Sequence, residues 1–188
     1  MANKQIKVGV VGASGYTGSD LVRLAVRHPN ISITTLTANT HAGKTMGEVF
    51  PHLGGLDLPS LVTNDDVNWE ELDTVFCGLP HATSQELISG LPTHLKIIDM
   101  SADFRLRDTQ TYAQWYGNTH AAPELQKEAV YGLSEHYRDQ IAAARLVACP
   151  GCYPTAALML LLPLVKAGAV DADDLIIDAK SGVSGAGR

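Results

Sequence analysis

The sequence predicts an α/β fold, a doubly wound and mostly parallel sheet, on two observations. Short apolar runs of strand length recur along the first 148 residues, each released into a polar or glycine-containing loop, as strands buried on both faces require. The first two runs are joined by a glycine-spaced turn and a helix within about thirty residues, the connection that a parallel pair needs.

Ile6-Lys7-Val8-Gly9-Val10-Val11-Gly12 is the first strand. It opens into Gly12-Ala13-Ser14-Gly15-Tyr16-Thr17-Gly18. Apolar residues at helical spacing follow over Ser19 to Arg27, until His28-Pro29-Asn30 stops them. Ile31 to Leu36 alternates and is β-branched, giving the second strand. In this setting the glycines read as a diphosphate-binding loop, with Gly12, Ser14, Gly15, Tyr16, Thr17 and Gly18 around the helix N-terminus. The spacing is G-x-x-G-x-x-G, a variation on G-x-G-x-x-G that keeps the close backbone approach. A turn that only lets helix and strand pack closely is the alternative.

NAD sites place a carboxylate at the end of the second strand, on the ribose 2′-hydroxyl. No Asp or Glu occurs here between Asp20 and Glu48; the chain offers Thr35, Thr37, Asn39, Thr40, His41 and Lys44 instead. Neutral groups with a nearby cation tolerate a 2′-phosphate that a carboxylate would repel. NADP is therefore expected as cofactor, with Thr37 and Asn39 as contacts; a plain polar loop is the competing reading.

Gly43 to Asn68 reads as loop-rich. Asp73 to Leu79 is the next buried strand, with Cys77 as inert packing. It ends in Pro80-His81-Ala82-Thr83-Ser84, ahead of a helix at Gln85 to Ile88. Loops at the carboxyl ends of parallel strands bind ligands in such folds, which makes His81 a candidate cofactor contact, against a capping or solvated histidine. Lys96 to Ser101 is a further strand, followed by Ala102-Asp103-Phe104-Arg105-Leu106-Arg107. Arg105 is a candidate for holding phosphate or carboxylate, with an internal salt bridge to Asp99 or Asp103 as the alternative. Tyr112, Trp115 and Tyr116 are expected to be packing residues.

Leu146-Val147-Ala148-Cys149-Pro150-Gly151-Cys152-Tyr153-Pro154-Thr155 is an apolar approach, a tight turn and the start of a long apolar helix. Pro154 suits the first helical turn, so Cys152 falls at or just before a helix N-terminus, a position that favours thiolate over thiol. Cys152 is the candidate nucleophile. The helix from Pro154 to Ala167 is expected to be buried and to kink or split at Pro163. Leu175 to Lys180 reads as a strand opening into Ser181-Gly182-Val183-Ser184-Gly185-Ala186-Gly187-Arg188. Stopping in that loop reads as a truncation, with one domain over 1–148 and the beginning of another over 149–188.

The chain has 188 residues, 45% of them hydrophobic, enough for one good core and an ordinary globular protein. A net charge of −6 with no basic run argues against a nucleic-acid partner. No window reaches the roughly 18 to 20 apolar residues of a membrane span. Met1 to Gln5 runs straight into a strand, leaving no room for a signal peptide, and three cysteines do not make a disulfide framework. A reducing, cytoplasmic setting is expected.

Four motifs together, Gly12 to Gly18, Ser101-Ala102-Asp103-Phe104-Arg105-Leu106, Pro150 to Thr155 and Ser181 to Arg188, resemble those of the N-acetyl-gamma-glutamyl-phosphate reductases. The resemblance runs along essentially the whole chain. It implies a Rossmann-type NADP domain, the start of an α+β catalytic domain, and a homo-oligomer, dimer or tetramer, in the full-length enzyme. It implies that Cys152 attacks an acyl phosphate to give a thioester, which hydride from NADPH reduces to a semialdehyde. Ser184 and Gly185 would lie by the cofactor, and Arg105 and Arg188 would hold the substrate's phosphate or carboxylate. The family's catalytic histidine lies beyond the motif at which the chain ends, so none of the seven histidines takes that role, and the chain alone is expected to bind NADP at best weakly and not to turn over. Aspartate-semialdehyde dehydrogenases and aminoadipyl-phosphate reductases share the cysteine mechanism. From another class, Cys149-Pro150-Gly151-Cys152 also fits a thiol–disulfide oxidoreductase with Cys149 as its low-pKa attacker. No second C-x-x-C or histidine pair completes a zinc site.

Overall fold

The computed structural model describes residues 5–186. Seven strands form one sheet: β1 (Ile6–Val11), β2 (Ile31–Thr37), β3 (Leu61–Val62), β4 (Thr74–Cys77), β5 (Lys96–Asp99), β6 (Val130–Tyr131) and β7 (Leu146–Ala148), in the order β3-β2-β1-β4-β5-β7-β6. Every pairing among them is parallel. Among the described residues seven α-helices accompany the sheet: α1 (Tyr16–Ala25), α2 (Met46–Val49), α3 (Ser84–Gly90), α4 (Thr109–Tyr116), α5 (Pro123–Glu128), α6 (Ser134–Ala143) and α7 (Cys152–Lys166).

Alternation along the strands separates two cores, one on each face of the sheet. Val8, Val10, Leu36 and Leu61 pack with Val22 of α1 and with Met46, Phe50 and Leu53. Val11, Val75, Cys77, Ile97 and Leu146 pack with Ile88, Leu91 and Phe104. Both faces of the central strands are thus covered, which explains their near-continuous apolar runs. The edge strands β3 and β6 have two residues each and carry no pattern long enough to read from sequence. The stretch read as loop-rich holds β3 and α2, whose N-terminus is a capping box between Thr45 and Glu48.

Three expectations about the C-terminal part are corrected. Helix α7 forms, but none of its residues is buried, and Leu160 is 65% exposed. The irregular stretch that follows lies near it, Leu175 to Asp178 lining one cavity with Ala157, Leu160 and Leu161. The stretch Leu175 to Lys180 is not a strand: no neighbouring strand offers it a ladder, and Ile176 is 95% exposed. Pro163 neither splits α7 nor ends it, and the helix runs on to Lys166. The ring removes one hydrogen bond, to the Met159 carbonyl, on a helix that water can reach. Of the three aromatics expected to pack, Tyr112 is fully buried and stacks on Tyr116, whereas Trp115 is 75% exposed.

Candidate active site

Because the sheet is parallel, its loops leave from one edge. Val11 is level with Cys77, Cys77 with Asp99, and Asp99 with Ala148. The loops that begin at Gly12, Gly78, Met100 and Cys149 therefore emerge side by side. Chain order reverses at β1, which has β2 on one side and β4 on the other, the switch point at which such sheets bind ligands.

The glycine loop is built for close approach. Gly12 has φ +75°, and a Cβ there would collide with the Gly78 carbonyl. A Cβ on Gly18 would meet the Gly12 carbonyl oxygen at 2.5 Å, so the helix sits directly against the turn. Gly15 caps α1 without a side-chain hydrogen bond, and no acidic residue occupies the first turn. The first-turn amides are left to a ligand, and an anionic diphosphate fits them. Helix α1 starts at Tyr16, three residues before the start read from sequence, so Tyr16 and Thr17 lie in its first turn, exposed. Ser14 is half-buried in the turn itself.

Tyr16 and Thr17 line a cavity of about 460 Å³ with Ser19, Asp20, Phe50, His52, Ser184 and Gly185. Ser184 and Gly185 thus border the same cavity as the first turn of α1. Phe50 and His52 went unnoticed in the sequence. They join Tyr16 in a run of rings whose centroids lie 6.4 and 5.9 Å apart, and no motif announces them.

At the end of β2, Thr37 is buried and its hydroxyl donates to Asn64 Oδ1 at 2.7 Å. Its side chain therefore anchors the 64–66 turn instead of facing solvent. Asn39, two residues on, is exposed. His81 is exposed as well, while its Nδ1 accepts a hydrogen bond from the Ala102 amide at 3.2 Å and its ring tilts against Tyr116.

Arg105 forms neither of the salt bridges that the sequence suggested. Its Nε donates to the Cys149 carbonyl at 2.7 Å and its Nη2 to the Met100 carbonyl at 3.0 Å. Nη1 lies against Gly151, 3.1 Å from where a Cβ would stand. The guanidinium thus sits beneath the cysteine turn. It opens on a cavity of about 460 Å³ with Arg107, Gln126, Tyr131, Tyr137 and Gln140, and Cys152 is not among the residues lining that cavity. Arg188 lies outside the described residues.

Cys152 is the first residue of α7, after Gly151 as a cap without a side-chain bond, and it is exposed. It lines a cavity of about 500 Å³ with Tyr153, Ala156, Ala157, Leu160 and residues 177–182. The other two cysteines differ sharply from it. Burial pushes the Cys149 thiol up to about 11, with the Asp99 charge adding to the shift and Arg105 opposing it. Burial pushes Cys77 up further still. All three are free thiols. A C-x-x-C oxidoreductase needs its first cysteine activated, and Cys149 is moved the opposite way.

Comparison with known proteins agrees with this geometry. Residues 7–144 match the family model "Semialdehyde dehydrogenase, NAD binding domain", and residues 152–188 match "Semialdehyde dehydrogenase, dimerisation domain". The chain belongs to the semialdehyde dehydrogenase family.

Within that family it is 56% identical over its whole length to a probable N-acetyl-gamma-glutamyl-phosphate reductase, chloroplastic, of Oryza sativa, and spans 45% of it. It is 56% identical over 99% of its length to N-acetyl-gamma-glutamyl-phosphate reductase of Rhodospirillum rubrum, and spans 54% of that protein. The chain thus spans about half the length of the curated relatives it matches. Among solved structures, aspartate semialdehyde dehydrogenase II of Vibrio cholerae superposes with a TM-score of 0.60 at 17% identity, over 87% of this chain and 47% of that one. The aspartate semialdehyde dehydrogenase of Candida albicans, solved with NADP, gives 0.59 at 18% identity, over 87% and 48%. These likenesses show a shared fold. No helix among the described residues is long and apolar enough to cross a membrane.

Proposed function

We propose that this chain supplies the NADP site and the nucleophile of an N-acetyl-gamma-glutamyl-phosphate reductase, which converts N-acetyl-glutamyl 5-phosphate to the 5-semialdehyde. The observation that carries the reading is the path of one loop. Residues 177–182 line the cavity at Cys152, and Ser184 and Gly185 line the cavity at the glycine loop. A thiol and a dinucleotide loop joined by one short segment suit a reaction in which an acyl group is held on sulfur while a bound cofactor reduces it.

In this scheme the amides of Gly15 to Gly18 hold the diphosphate, with Tyr16 and Thr17 beside it. Gly12 gives the backbone its close approach, and Ser14 lies in the same turn. Thr37, through the turn it anchors, and Asn39 border the ribose, His81 faces the same edge, and Ser184 and Gly185 close over it. Cys152 attacks the acyl carbonyl as thiolate; a carbon–sulfur bond forms, and the carbon–oxygen bond to phosphate breaks with its electrons leaving on phosphate. NADPH, when bound, supplies the hydride that takes the thioester to the aldehyde level. Cys152 then leaves as thiolate, a good leaving group for the same reason that it is a good nucleophile. Arg188 and the Nη1 side of Arg105 are proposed to receive the substrate's phosphate or carboxylate. No histidine lines the Cys152 cavity among the described residues, and the histidine that the family resemblance implies for proton transfer is proposed to lie outside them. The domain boundary is proposed at residues 148 and 149, and the working enzyme is proposed to be a homo-oligomer.

Acyl transfer to sulfur can be tested without turnover. N-acetyl-glutamyl phosphate, generated in place by a kinase and ATP, is expected to add one acyl group to Cys152, seen by mass spectrometry, and none to Cys152→Ser. Equal labelling by aspartyl phosphate would overturn the substrate, and labelling of Cys149 instead would overturn the nucleophile.

A further inference from the structure

The segment after β5 makes a connection that the proposed chemistry does not use. Asp103 is fully buried and, among the described residues, has no cation paired with it. Four donors satisfy it instead. Its Oδ1 accepts from the Ala82 amide at 2.8 Å and from the Tyr112 hydroxyl at 2.9 Å. Its Oδ2 accepts from the Ser84 hydroxyl at 2.8 Å and from the Ser84 amide at 3.3 Å. Burial and this carboxylate push the Tyr112 hydroxyl up to about 12, which keeps it a donor.

Two of the four donors are backbone groups of the 80–84 loop, and Ala82 needs holding. It is the one non-glycine among the described residues with positive φ, at 65°, a left-handed conformation in which the Cβ of an L-residue crowds its own backbone. The loop begins beside the glycine turn, where Gly78 donates its amide to the Val11 carbonyl and would block any side chain at Gly12. It also carries His81, tied back to the same segment through the Ala102 amide.

We propose that Asp103 is a positioning residue for the cofactor: it fixes the 80–84 loop, in its left-handed turn at Ala82, against the switch point where the dinucleotide binds. A carboxylate suits this task because it presents only acceptors, and all four facing groups can donate. The inference rests on the NADP reading above, and its test keeps the two separable.

Asp103→Asn retains size and shape but turns an NH₂ toward the Ser84 amide, so two donors face each other. In the 188-residue chain, hydrogen exchange at the Ala82 and Ser84 amides is expected to speed up, and the NADPH dissociation constant to rise, each about tenfold, as loss of one charge-assisted bond predicts. Alkylation of Cys152 by iodoacetamide is expected to stay unchanged, because the cysteine turn is held from Arg105 and not from Asp103. Leu146→Ala, a core truncation, controls for general loosening and is expected to leave loop exchange and NADPH affinity alone. Unchanged exchange in Asp103→Asn, faster exchange with unchanged NADPH affinity, or the same changes in Leu146→Ala would each overturn the proposal. A wild-type chain that fails to bind NADPH would overturn the functional reading instead, and exchange at Ala82 and Ser84 would still decide whether Asp103 holds the loop.

Discussion

The sheet region up to Ala148 and the stretch from Cys152 to Ala186 are both rich in leucine, valine, isoleucine and alanine, yet they treat those residues in opposite ways. In the first, Val10, Leu36, Val75, Ile97 and Leu146 are sealed between strands and helices at no measurable exposure. In the second, Leu160, Ile176 and Val183 are 65%, 95% and 95% exposed. An apolar residue is stabilising only when a second surface covers it. Each central strand has a neighbour on both edges and a layer on both faces, whereas none of the residues of α7 is buried. The nucleophile sits where these regions join, at the first residue of α7, with the well-packed sheet holding the turn before it through Arg105.

That contrast can be broken by mutation. Leu146→Ala is expected to cost about 2–5 kcal/mol of unfolding free energy in urea titrations, the range for a buried leucine truncated in a core. Leu160→Ala is expected to cost less than about 0.5 kcal/mol, as for an exposed position. Comparable losses for the two would mean that α7 is covered in solution.

Gly12→Ala should follow in size. It places a Cβ at positive φ and against the Gly78 carbonyl, and is expected to cost more than about 1 kcal/mol and to weaken NADPH binding, measured by fluorescence titration. A stable variant with unchanged binding would show that the glycine loop and the β4 loop do not need their close contact.

The smallest effect is one of pH. Burial raises Cys149 from about 9.0 in a free thiol to about 11, so the unfolded chain loses that proton first. Stability from this group is complete below about pH 9 and is lost as pH rises toward about 11. Cys77 acts in the same direction. Cys149→Ser is expected to flatten, though not abolish, the alkaline fall in unfolding free energy, while leaving Cys152 open to alkylation. An unchanged alkaline slope would mean that Cys149 is not buried in solution.

Much of the sheet was legible because its signals are local. β1, β2, β4, β5 and the approach at β7 are apolar runs bounded by turns, and the glycine loop lies within one βαβ unit. β3 and β6 were not legible, because two residues carry no period. The exposure of α7 was misread because an all-apolar helix looks buried from its sequence alone, whatever lies beside it. At the site, Cys152 could be found from its turn and helix. Phe50, His52 and Asn64 could not, since nothing in their own neighbourhoods marks them and only folding brings them to Tyr16 and Thr37.

Arg105 shows where the division falls. The sequence offered two local acids for its charge, and the fold gave it two backbone carbonyls, one of them 44 residues away. Composition and period determined which segments become strands, where the glycine turn bends and which cysteine begins a helix, because those depend on φ/ψ preference and on neighbours along the chain. Which donor meets which acceptor, which thiol is buried and which loops share a cavity were decided only when the parallel sheet set the ends of β1, β4, β5 and β7 level.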